Sequence, residues 1–137
     1  MDWARPALTV DVALIARGPV STILLVQRRH DPFAGRWALP GGFVDEGEQV
    51  HGAAVRELAE ETGVAAPELS LLGVYDTPGR DPRGWTVSVA FLGLLERSVP
   101  AQAADDASEA EWFALDELPE LAFDHALLVG DAVARAR

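Results

Sequence analysis

Residues 42–64 read GFVDEGEQVHGAAVRELAEETGV, and the rest of the chain is best read outward from them. Five of these residues are glutamates, and three of the five fall within Arg56-Glu57-Leu58-Ala59-Glu60-Glu61. The pattern predicts a helix over 47–62, closed by Gly63 in the position that follows a helix C-terminus. At about 100° per residue, Glu60 lies about −60° and Glu61 about +40° from Glu57, so the three carboxylates share one face. Val55, Leu58 and Ala59 fall on the other arc and are expected to face a core. Like charges three and four residues apart repel, so a helix gains no stability from this arrangement alone. A hard cation with oxygen ligands, Mg²⁺ or Mn²⁺, would make sense of it. Zinc is disfavoured, because there is no cysteine and the three histidines are scattered.

Upstream, residues 8–16 are rich in Val, Leu and Ile and read as a strand, followed by an Arg17-Gly18-Pro19 turn. Residues 21–27 read as a second, buried strand. A polar loop over 28–36 leads to a short extended piece at 37–39, since Pro40 disfavours helix at the residue before it. Gly41-Gly42 then lets the backbone come close to the helix, so that a glycine carbonyl is available to a metal. Downstream, strands are expected at 69–76 and 85–95, the second in the interior of a sheet, with a Pro- and Gly-rich loop at 77–84 between them. An irregular stretch at 97–108 precedes a short strand at 111–114 and a helical turn at 116–118. A last helix at 124–135 carries an apolar stripe of Ala126, Leu127, Val129 and Val133, and Asp124 resembles its N-cap. Strands mixed with two helices point to an α/β or α+β sandwich. There is no repeat and no linker, so residues 1–137 are expected to form one domain.

Composition sets further bounds. Hydrophobic residues make up 49% of the 137, enough for a core. No run is long and apolar enough for a membrane span, and the N-terminus lacks the pattern of a signal peptide. The absence of cysteine excludes disulfides and fits a cytoplasmic protein. All eleven basic residues are arginine, against 22 acidic ones, for a net charge of −11. Such a surface disfavours nucleic acid and anionic membrane as partners. It leaves room for an anionic small molecule if a metal ion or local arginines mediate.

The stretch from Gly42 to Val64 resembles the signature box of the Nudix hydrolases: Gly, five residues, Glu, seven residues, then Arg-Glu-aliphatic-any-Glu-Glu-any-Gly-aliphatic. Gly42, Glu48, Arg56, Glu57, Leu58, Glu60, Glu61, Gly63 and Val64 match without a departure. The resemblance implies an α/β/α sandwich with a mixed sheet between helices. It also implies hydrolysis of a nucleoside diphosphate linked to another moiety, with water attacking phosphorus in a metal-held diphosphate. By position in the box, Glu57, Glu60 and Glu61 are expected as metal ligands and catalytic groups, with the Gly42 carbonyl a further ligand. Arg56 and Glu48 are expected to support the loop and helix, though Glu48 is also within reach of a metal. A homodimer is implied as well, since related enzymes commonly build their site from two subunits.

Residues 75–89, YDTPGRDPRGWTVSV, and 121–125, LAFDH, resemble a group of ADP-ribose pyrophosphatases within that family. The first reading is therefore cleavage of ADP-ribose to AMP and ribose 5-phosphate. The alternatives keep the chemistry with a nucleoside triphosphate, NADH or a sugar nucleotide, or keep the ligand without turnover in an ADP-ribose sensor. Sensors of this kind carry an added DNA-binding domain. An intact box, an acidic chain and an end at Arg137 disfavour that reading. Arg80 and Arg83 are candidate substrate contacts, planar donors suited to phosphate. Arg28 and Arg29 are further candidates. Trp37, Phe33 and Trp85 are candidate platforms for a base, Trp37 foremost, although for any one of them a place in the core or a dimer interface is the more ordinary reading. Of Trp112 and Phe113, adjacent on a strand, at least one should point inward. The general base is sought in Asp105-Asp106-Ala107-Ser108-Glu109, with Glu109 first, or else among the box glutamates. His125 is read either as a contact to a leaving phosphate or simply as the start of the last helix. His30 and His51 are expected on the surface.

Overall fold

The computed structural model describes residues 2–104 and 107–137. Its centre is β1 (Ala7–Ala16), which pairs in parallel with β6 (Thr86–Leu95) along its whole length, Ala7 opposite Thr86 through Ala16 opposite Leu95. β2 (Thr22–Arg28) lies antiparallel on the other side of β1, followed by the two-residue β3 (Trp37–Ala38). β5 (Leu69–Tyr75) closes the far edge beside β6. The order is β3-β2-β1-β6-β5, with β4 (Gly41–Phe43) also on β1 and β7 (Ala107–Ala114) also on β2. β6 is thus an interior strand, as its apolar run predicts.

Two helices cover the two faces. α1 (Val50–Thr62) packs Ala53, Ala54 and Leu58 on Val10, Val12, Leu14 and Phe91. α2 (His125–Ala136) packs Leu128, Val129 and Ala132 on Ala13, Ile15, Ala90 and Leu92. Alternate residues of β1 therefore serve alternate cores, which is why the strand reads as a continuous apolar run. This is the α/β/α sandwich with a mixed sheet. Trp112 faces the α1 side and Phe113 the α2 side, so both reach a core.

Several local expectations are corrected. α1 begins at Val50 rather than at residue 47, because Gly47 turns the chain at a φ of 80° and the Glu48 N–H donates to the Asp45 carbonyl. Ala59 is exposed, while Glu61 and Thr62 are buried, so α1 is rolled to bring its C-terminal carboxylate under the sheet edge. In α2 the buried set is His125, Leu128, Val129 and Ala132, and Leu127 is 53% exposed. Asp124 makes no side-chain capping bond. β7 starts at Ala107, since pairing with β2 overrides the weak strand character of its first residues. Among the described residues no helix is long and apolar enough to cross a membrane.

Candidate active site

The two glycines after Pro40 bring the box together. The Gly41 N–H donates to Glu61 Oε1 at 2.7 Å. A Cβ on Gly42 would lie 2.6 Å from the Glu57 carboxyl carbon, so only glycine lets this carboxylate rest against the backbone. Arg56 gathers the remaining acids. Its Nε and Nη2 donate to Glu48 at 2.7 and 2.9 Å, and its Nη1 donates to Glu57 at 2.8 Å and Glu60 at 3.1 Å. Nη2 also reaches the Phe43 carbonyl at 3.1 Å, which ties the helix to β4.

The electrostatics follow from this packing. Burial pushes the Glu57 carboxyl up, against the Arg56 hydrogen bond, and the Glu60 and Glu48 charges add to the rise. The Arg56 guanidinium, with the Asp45 N–H, holds Glu48 well below its ordinary 4.5, at about 2. Arg56 is raised in turn, chiefly by Glu48. A carboxyl depressed in the folded state stabilises the fold above its unfolded pKa and loses that contribution as pH falls through the folded one. For Glu48 the contribution is complete above about 4.5 and disappears toward about 2. Thermal unfolding between those pH values, in the presence of chelator, should flatten in Glu48→Gln relative to the wild type. Parallel curves for the two proteins would refute the pairing.

Gly42, Glu57, Glu60 and Glu61 line a cavity of about 720 Å³, a volume typical of nucleotide-sized ligands. Arg28, Arg80 and Arg83 line it as well, with Phe43, Phe123, Asp11 and His125. Arg28 Nε donates to the Pro32 carbonyl at 2.7 Å, and the other two arginines are oriented by acids. Arg80, with a side chain only 5% exposed, donates through Nε and Nη2 to Asp124 at 3.0 and 2.6 Å. Arg83 forks onto buried Asp81, with Nη2 to Oδ2 at 2.8 Å. Burial alone would raise the Asp81 carboxyl, but the Arg83 bonds outweigh it and the net shift is downward. Arg83 also stands 5.2 Å from the Phe43 ring centre and 5.6 Å from that of Phe123, while Arg28 stands 4.9 Å from Phe123. Phe123 holds a φ of 53°, and Phe33, edge-on to it at 4.9 Å, a φ of 63°. Left-handed backbone at a bulky residue costs energy, and it is retained where the surroundings fix a side chain in place.

Other candidates lie elsewhere. Trp37 is turned into the α2-side core against Phe113, ring centres 4.8 Å apart, and does not line the cavity. Trp85 is exposed at the start of β6 and does not line the cavity. Arg29 donates to the Ala107 carbonyl at 3.0 Å, bracing β7, and is not on the cavity wall. Glu109 is exposed on β7 opposite Gln27 and does not line the cavity either. Asp105 and Asp106 lie outside the described residues. His51 is exposed; His30, also exposed, stands at the cavity rim. The residues that sequence reasoning missed are Asp11, Phe43, Asp81 and Phe123, and for Asp11 the signal was available as a lone acid in an apolar strand.

The acidic wall suits a hard divalent cation. Its donors are all oxygen, and Gly42 opens room exactly where a Cβ would block Glu57. Among the described residues no three acidic or imidazole groups are drawn tightly enough, as they stand, to hold an ion; Arg56 bridges Glu57 and Glu60 instead.

Comparison with known proteins gives a consistent result. The NUDIX domain model matches residues 6–131. An ADP-ribose pyrophosphatase of Methanocaldococcus jannaschii is 48% identical over 129 residues, covering 94% of this chain and 74% of its own. An ADPR responsive transcriptional repressor of Acinetobacter baylyi is 37% identical over 140 residues, covering 98% of this chain; the chain spans 56% of that relative's length. Among solved structures, the NUDIX domain of Shewanella oneidensis NrtR complexed with ADP ribose superposes with a TM-score of 0.92 at 35% identity, over 98% of this chain and 91% of that one. With the box, the sandwich and these relatives in agreement, the chain belongs to the Nudix family and is a Nudix hydrolase.

Proposed function

We propose that this chain hydrolyses ADP-ribose to AMP and ribose 5-phosphate, with Mg²⁺ or Mn²⁺ held by Glu57, Glu60, Glu61 and the Gly42 carbonyl. The observation that carries the reading is one cavity lined by box carboxylates and three arginines together. A diphosphate is doubly anionic, and carboxylates alone would repel it. When bound, the divalent ion supplies charge neutralisation and polarises phosphoryl oxygens. Arg80 and Arg83, aimed by Asp124 and Asp81, offer donors to phosphate and ribose oxygens. Phe123 and Phe43 give the cavity its aromatic surface, and the strained backbone of Phe123 supports a role in recognition. Chemically, a water oxygen bonds to phosphorus, the bridging P–O bond breaks, and one water proton leaves to a base. The pyrophosphatase relative at 48% identity supports ADP-ribose over other nucleotides.

For the base, the cavity favours the box glutamates over Glu109. Glu109→Gln is expected to change kcat less than about threefold, since an assisting base contributes about 100-fold or more. A loss of that larger size would restore Glu109 to the role. We further propose a homodimer, supported by the exposed Leu71 and Val74 on the edge strand β5; sedimentation of the purified protein tests it.

The repressor relative favours one second reading, an ADP-ribose sensor without turnover. Product analysis separates the two. Purified protein is incubated with Mg²⁺ and ADP-ribose, NADH, a sugar nucleotide or a nucleoside triphosphate. AMP and ribose 5-phosphate, released fastest from ADP-ribose, are the expected products. Faster turnover of another compound would discard the ADP-ribose assignment, and tight ADP-ribose binding with no turnover of anything would put the sensor first.

A further inference from the structure

His125 opens α2 and has no part in the chemistry above, yet it is buried beside the site. Its Nδ1 accepts the Leu39 N–H at 3.0 Å, and its Nε2 lies 3.4 Å from Asp11 Oδ1. An accepting Nδ1 places the ring proton on Nε2, toward the Asp11 carboxylate. Nδ1 is thus taken up by the Leu39 amide, while Nε2 faces Asp11. Asp11 in turn accepts the Ser88 hydroxyl and lies under Gly41, where an added Cβ would stand 2.7 Å from its Oδ1.

Leu39 is the pivot. It follows the last residue of β3, it is buried, and its amide needs a partner that the sheet does not supply. The next three residues are Pro40, Gly41 and Gly42. The Pro40 carbonyl accepts the Val12 N–H at 2.8 Å, the Gly41 N–H holds Glu61, and Gly42 backs Glu57. A shift of Leu39 therefore moves the backbone that sets two box carboxylates.

We propose that His125 is a positioning residue that pins Leu39 and so sets the Pro40-Gly41-Gly42 turn against Glu57 and Glu61 for a divalent cation. This rests on those glutamates holding the ion. The test is Mn²⁺ binding to the substrate-free protein, read from the free-ion electron spin resonance signal, together with ADP-ribose turnover. His125→Phe keeps the bulk and loses both polar contacts, and it should weaken Mn²⁺ binding about 10-fold. His125→Asn can still accept the Leu39 N–H, and should bind Mn²⁺ within about threefold of wild type. A His125→Phe protein with native circular dichroism and wild-type Mn²⁺ affinity would overturn the proposal. Should His125→Phe not fold, His125→Asn decides: near-native affinity with a slowly exchanging Leu39 amide supports the role, and a loss of about 10-fold in a native-like protein sinks it. Wild-type protein that binds no Mn²⁺ would overturn the ion site itself along with this inference, whereas binding abolished by Glu61→Gln but untouched by His125→Phe would overturn the inference alone.

Discussion

On the proposed ADP-ribose hydrolase reading, Glu61→Gln should lower kcat by at least about 100-fold, the size expected for removing one electrostatic stabiliser from an active site. The expectation depends on where Glu61 sits. It is buried at the end of α1 and accepts the Gly41 N–H at 2.7 Å, a bond that the amide oxygen of glutamine can also accept. The substitution thus keeps the shape and that hydrogen bond, removes the charge and turns the second carboxylate oxygen into an NH2 group. Thermal stability should accordingly stay close to wild type while activity collapses, and raised Mg²⁺ should recover little of it. Near-wild-type turnover would take Glu61 out of the ion-holding set and leave Glu57 and Glu60 as its members.

The second large effect separates two adjacent glycines. An alanine Cβ at Gly42 meets the Glu57 carboxyl at 2.6 Å, the far end of a flexible side chain that can swing away. Gly42→Ala should therefore fold with a Tm within a few degrees of wild type and lose about 100-fold in kcat, because Glu57 is displaced from its seat. At Gly41 the same methyl meets the Val10 carbonyl oxygen at 2.1 Å, part of the β1 backbone that pairs with β4. Backbone cannot swing aside, so Gly41→Ala should lower Tm by roughly 5–10 °C, as overpacking of a well-fitted interior does. Differential scanning calorimetry alongside kinetics checks both. Equal Tm losses in the two variants would show that the glycines serve the fold alone.

The helix periodicity was enough to place Glu57, Glu60 and Glu61 together, because residues three and four apart on one helix are neighbours whatever surrounds them. Leu58 could be assigned to the core for the same reason. The roll of α1 could not, since burial of Glu61 and exposure of Ala59 depend on the strand the helix meets. The arginine loop stood out through its resemblance to the ADP-ribose pyrophosphatase group, and Arg80 and Arg83 do line the cavity. Their acid partners were harder to see: Asp124 lies 44 residues from Arg80 and looked like a helix cap. Asp11 and Ser88 meet only through the parallel pairing of β1 with β6, whose partners are far apart in the chain. Trp37 misled because proximity in sequence to Gly41-Gly42 says nothing about which face of a two-residue strand a ring takes.

Arg56 has a consequence for how the protein lives without its ion. Its guanidinium already serves Glu48, Glu57 and Glu60 as an internal counter-ion, so part of the helix's negative charge is offset before any cation arrives. On the proposed metal site, folding should then not require loading, in contrast to small domains that collapse only around a metal. An incoming ion competes with a resident cation instead of filling a void, which favours reversible occupancy that tracks the free concentration of divalent cation around the protein. A chelator should silence such a protein and leave it folded.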